Sequence, residues 1–153
     1  MKLEDQVCSL ELAKKLKELG VKQESLFWYT CFNDGTTDIH FQYDRKYVPP
    51  AHYSAFTVAE LGALLPKSIF IKTEDEEKKI FSNFRLVTGR NIIVEEEKPV
   101  EVWTINYICD TTNQFRNWLF DAMLTKNIYD VNEANTRAKM LIYLIENKLI
   151  NLE

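Results

Sequence analysis

Three residues in the first third of the chain carry side chains able to do nucleophilic chemistry together: Cys31, His40 and His52. A thiol becomes a nucleophile when a base within hydrogen-bond reach takes its proton and backbone amides stand ready for the oxyanion. A small Cys–His hydrolase or transferase is the enzymatic reading. Cys31 and His40 fall on successive strands of an expected hairpin, where they could be cross-strand neighbours. Against this, His40 shares the polar side of its strand with Asp38 and Gln42, whereas Cys31 shares a side with Phe27 and Tyr29. No glycine-rich turn adjoins a cysteine to supply oxyanion amides. Cys31, His40 and His52 therefore remain candidates only, and the residues read more simply as a half-buried thiol beside a surface histidine.

Other chemistries find less support. A zinc site wants close Cys and His pairs, but the cysteines stand 23 and 78 residues apart and the histidines 12 apart. Phosphate cradles want clustered glycines; the four here are isolated at 20, 35, 62 and 89. No metal or cofactor is expected. Acidic runs at 74–77 and 95–97 could hold a hard cation or imitate phosphates, although a solvated turn is the usual meaning of such runs.

The elements that must position these groups follow from pattern. Ser9 can cap a helix with Leu12, Leu16 and Leu19 on one side and Gly20 at its end. Residues 26–43 read as a β-hairpin turning at Asn33-Asp34-Gly35, with Ile39, Phe41 and Tyr43 on one side of the second strand. Residues 44–56, containing Pro49-Pro50, read as an ordered loop. Thr57 and Glu60 form a capping-box pattern, followed by Leu61, Leu64 and Leu65, with Pro66 ending the helix. Strands are expected over 69–72, 84–88, 91–96 and 100–109, with turns at 89–91 and 98–99. Thr112 opens an amphipathic helix carrying Phe115, Trp118, Leu119, Ala122 and Met123. Asp130 and Glu133 open a last helix with a stripe from Ala134 through Ala138, Leu141, Ile142 and Ile145 to Leu149. The order α-ββ-α-βββ(β)-α-α predicts an α+β fold: a single domain over 1–153 with a mainly antiparallel sheet and helices packed on one face.

Composition agrees with such a domain. The chain has 153 residues, 46% hydrophobic and 27% charged, with a formal net charge of -4. Ten basic and 14 acidic residues fall in 26–125, and the flanking segments balance, so the whole negative excess lies in the sheet region. That sign speaks against nucleic acid as a partner, although Arg45, Lys46, Lys78 and Lys79 make nucleic-acid binding the second alternative function. No apolar run is long enough for a membrane span. The acidic start and three scattered cysteines predict a cytoplasmic protein with reduced thiols. Aromatics reach 12% and gather around the hairpin and its loop. Trp28, Tyr43, Tyr47 and Tyr53 are the expected binding surface, and open sheet edges raise the prospect of a homodimer.

Three stretches, CSLELAKKLKELGVKQESLF (8–27), YSAFTVAELGALLP (53–66) and RAKMLIYLIENKLI (137–150), together resemble a family of small proteins encoded in phages and prophages of Bacteroides-type gut bacteria. The resemblance carries no activity and nominates no catalytic residue. It implies a bacterial host cytoplasm and an accessory role toward a host or phage protein. The leading expectation is a non-enzymatic phage or prophage accessory protein that acts by binding another protein.

Overall fold

A computed structural model describes residues 2–41, 51–74, 79–95, 98–109 and 128–152. After a short 3-10 turn at Leu3–Asp5 come helix α1 (Leu10–Glu18) and strands β1 (Phe27–Cys31), β2 (Thr37–Phe41) and β3 (Ala51–Ser54). Helix α2 (Val58–Leu64) leads to β4 (Ser68–Glu74), β5 (Lys79–Glu95) and β6 (Lys98–Cys109), then β7 (Ile128–Asp130) and helix α3 (Glu133–Glu146). The fold is α+β, and every pairing between these strands is antiparallel.

The strands make two sheets rather than one, ordered β2-β1-β3 and β4-β5-β6-β7. Two differences from the sequence reading produce this. Residues 51–54, expected in a loop, form β3 and pair with β1, Trp28 opposite Ser54 and Thr30 opposite His52. The turn expected at Gly89-Arg90-Asn91 does not form either. β5 runs unbroken through it, because Gly89, Arg90 and Asn91 face Thr104, Trp103 and Val102 of β6. A glycine in extended backbone costs strand stability but breaks no ladder. Likewise Lys98 and Pro99 are paired strand residues, opposite Glu95 and Val94. The helix expected from Thr112 lies outside the described residues.

Local signals that held are those with a hydrogen bond behind them. Ser9 caps α1, its Oγ accepting the Leu12 amide at 3.5 Å. At the other end Val21 N donates to Leu16 O and Gly20 N to Lys17 O, a Schellman closure that needs the positive φ of Gly20 (84°). Thr57 and Glu60 complete their capping box on α2. Helix α3 starts two residues later than Asp130 suggested: Asn132 is the cap, accepting the Asn135 amide at 3.2 Å. Its buried side is also wider than the expected stripe. It adds Thr136, Met140 and Leu144 to Ala134, Ala138, Leu141 and Ile142.

One apolar core joins these parts. Leu16 of α1, Tyr29 of β1, Phe56, Leu61 of α2, Ile105 of β6, and Leu141 and Leu144 of α3 all belong to it. Helix α3 is its axis, packing on α1, α2, β6 and β7. The chain's beginning is stitched to the start of that helix. Asn135 Oδ1 accepts the Ser9 amide at 2.7 Å, and Asn132 Nδ2 donates to Glu4 O and Val7 O at 3.2 and 3.3 Å.

Candidate functional site

The strand register decides the Cys–His question. Residues directly opposite one another in an antiparallel pair share a face, and successive residues alternate. His40 faces Trp28, His52 faces Thr30, and Ser54 faces Trp28, so all five side chains lie on one face of the β2-β1-β3 sheet. Cys31 faces Thr37 and Ala51 and lies on the other face with Phe27 and Tyr29. The thiol and the imidazoles are thus separated by the sheet, and no Cys31–His40 or Cys31–His52 dyad is formed. Cys8 is fully buried, and burial pushes its thiol up to about 12, so it stays protonated.

The two histidines do meet each other. Their rings stand 6.3 Å apart between centroids, and each Nδ1 approaches the Thr30 hydroxyl, His40 at 3.3 Å and His52 at 3.5 Å. A hydroxyl has one proton to give, so at least one of these imidazoles carries its own proton on Nδ1. Because both Nδ1 atoms converge on one oxygen, the two Nε2 atoms diverge, which is the wrong arrangement for chelating a metal between them. Among the described residues no cluster of three or more His, Cys, Asp or Glu could hold an ion. Burial presses His52 below the ordinary imidazole range, and neighbouring His40 and Lys17 add to this. His52 Nε2, Trp28 Nε1 and Ser54 Oγ are buried there without hydrogen-bond partners.

The expected aromatic surface is divided by the same register. Trp28 belongs to the histidine face, whereas Tyr53 lies opposite Tyr29 on the other face. There the ammonium groups of Lys17 and Lys14 stand 4.8 and 5.5 Å from its ring centroid. Tyr43, Tyr47, Arg45, Lys46 and Lys78 fall outside the described residues, and Lys79 begins β5 opposite Glu74. Of the acidic runs, Glu74 ends β4 and Glu95 ends β5; 75–77 and 96–97 fall outside the described residues.

The surface features that sequence reasoning missed lie elsewhere. An open groove of about 590 Å³ runs between α1, β7 and α3, floored by Leu12, Ile128 and Ile142 and bridged by Lys15 and Glu146 at 3.0 Å. More distinctive is the distal part of the β5–β6 ribbon. β4 pairs with β5 only up to Arg85, and β7 pairs with β6 only at 103–105. Beyond these limits the two strands run on as a two-stranded arm. Ile92 and Val94 share one face of it and are 68% and 74% exposed. Arg90 fixes the same face, bonded to Glu101 at 2.7 Å and lying 5.5 Å from the Trp103 ring centroid. The available signal was the run Ile92-Ile93-Val94, apolar on both sides of a strand that the turn reading had shortened. Comparison with protein-family models, curated proteins and solved structures finds no match.

Proposed function

We propose that this chain is a non-enzymatic accessory protein, of the phage or prophage kind its sequence resembles, that acts in the bacterial cytoplasm by binding another protein chain through the distal β5–β6 ribbon. The observation carrying this reading is the pair Ile92 and Val94, more than two-thirds exposed side by side on a strand with an open edge. Exposed apolar side chains on an unpaired strand are a template for strand addition, in which main-chain hydrogen bonds give affinity and side-chain contacts give selectivity. The separation of Cys31 from both histidines supports binding over catalysis. No helix among the described residues is long and apolar enough to cross a membrane.

The test is site-specific photo-crosslinking in bacterial cells. A benzophenone amino acid at position 94 is expected to capture a defined protein chain, and the same probe at exposed Glu18 on α1 is expected to capture none. Equal and diffuse labelling from both positions would refute the ribbon as the binding element.

A further inference from the structure

The open edge of β5 has a definite hydrogen-bond phase. The Leu86 amide donates to Lys67 O at 3.0 Å, on the side away from β6. Register with β6 continues without interruption from Phe84 to Glu95. Main-chain groups alternate sides along a strand, so Thr88, Arg90, Ile92 and Val94 direct their N–H and C=O groups outward. Among the described residues no strand lies beside them. The open edge from Val87 to Glu95 spans roughly 30 Å at about 3.4 Å per residue.

We infer that the chain occupying this edge is β5 of a second copy, paired antiparallel about a twofold axis through Ile93, so that Ile92 of each copy lies opposite Val94 of the other. This rests on reading the ribbon as a binding edge and names its partner. Twofold symmetry allows only registers that keep each residue type on its own face. In these, outward-facing residues oppose outward-facing residues, as a hydrogen-bonded pair requires. Among those registers, the axis through Ile93 sets apolar against apolar at every central position. Ile92 and Val94 make a four-residue cluster on one face, and Ile93 meets its own copy on the other. An axis through Ile92 would set Val94 against Arg90, and an axis through Asn91 would set Ile92 against Arg90, burying apolar side chains against a guanidinium. The chosen register instead carries Arg90 past Glu95, the last residue of the partner strand, and clear of the apolar cluster. Charge and apolar pattern thus both select the same self-complementary arrangement. Charged side chains and proline commonly blunt a free edge, and neither occurs from Asn91 to Val94.

A contact built on one strand pair sits at the small end of protein interfaces, so the dimer should dissociate on dilution. Sedimentation velocity over a concentration series is expected to show wild type moving from 18.0 kDa toward twice that mass. Val94→Lys, at a site too exposed to disturb folding, should hold the protein at the monomer mass at concentrations at least about tenfold higher. Register is read separately: Ile93→Cys should oxidise to a symmetric disulfide, since Cα atoms of a non-hydrogen-bonded pair stand about 4.5 Å apart, within disulfide reach. Thr88→Cys should not. A wild type that remains monomeric throughout, or a dimer indifferent to Val94→Lys, overturns self-pairing. If the monomeric protein still cross-links a different chain from position 94, the ribbon reading survives and only the choice of partner fails. If it captures nothing, both fall.

Discussion

Glu60 Oε1 accepts the Leu26 amide at 2.8 Å, so the carboxylate that caps α2 also fixes the residue preceding β1. Its other oxygen takes the Thr57 amide, the Thr57 hydroxyl and the Ser25 hydroxyl, at 2.8, 2.9 and 3.0 Å. One side chain therefore closes a helix start and anchors the hairpin of the smaller sheet. Glu60→Ala removes a cap and the partner of the Leu26 amide, and leaves the buried hydroxyl of Ser25 with Ala55 O at 3.1 Å. Losses of about 2–3 kcal/mol are expected, a fall in Tm of roughly 5–10 °C for a chain of this size. Glu60→Gln should recover little, because its amide nitrogen turns a donor toward donors. Thermal melts of the two variants check this; wild-type melting in Glu60→Ala would show the network to be dispensable.

The histidine pair sets a pH dependence. His52 sits below the ordinary imidazole range because burial, then His40, then Lys17, oppose its charging. The unfolded chain then binds more protons than the folded one between the folded value and about 6.5, so stability rises with pH across that window. Lowering the pH from 7.5 to 5.5 in steps should lower Tm progressively. The carboxyls of Asp130 and Asp34 do not confuse the measurement. Burial works against ionisation of Asp130, but hydrogen bonds from Lys139, Asn132 and Asn135 hold its carboxyl below the usual range, and Thr36 holds Asp34 there. Both matter only below about pH 4. In His52→Gln the slope between pH 7.5 and 5.5 should flatten. An unchanged slope would place the proton uptake elsewhere.

Helix α3 ends on a strained residue that can be relieved. Leu149 N donates to Leu144 O and Lys148 N to Ile145 O, and Lys148 occupies the left-handed region at φ 56°. α1 places Gly20 at the equivalent position. A side chain there costs about 1 kcal/mol, so Lys148→Gly should raise Tm by roughly 2–4 °C. Lys148→Ala keeps the Cβ and should gain nothing. If the alanine variant gains as much as the glycine variant, backbone strain is not the cause.

What was legible in the sequence follows the range of the forces involved. Ser9, Gly20, Thr57, Glu60 and the Asn33-Asp34-Gly35 turn act within a few residues, and each does locally what its type implies. Glu60 also shows the limit of such reading. Its cap was visible, but its bonds to Ser25 and Leu26 cross 35 and 34 residues and have no local signature. β3 was hidden by the prolines before it and is held by pairing with β1 rather than by propensity. Gly89 suggested a turn, yet facing β6 residues on both sides outweigh a glycine's preference. Placing Cys31 and His40 on opposite faces needed only alternation, and that much of the candidate site was readable. The meeting of His40 with His52 needed β3, which was not. Ile92 and Val94 were visible as apolar residues, but their exposure depends on where β4 and β7 stop.

The ties from Asn132 and Asn135 to Glu4, Val7 and Ser9 join residues about as far apart as this chain allows, separated by 125 to 128 positions. During synthesis the first helix therefore emerges long before the residues that fix it exist. Until α3 leaves the ribosome, Leu16 and Ala13 lack the helix they pack toward, and the opening segment is held only by its bonds to Phe56 and Tyr29 and its bridge to Thr57. Full protease resistance of the N-terminal segment should accordingly come late, only after α3 has emerged. A nascent chain stalled before Asn132 would keep that segment open to cleavage and to chaperone capture.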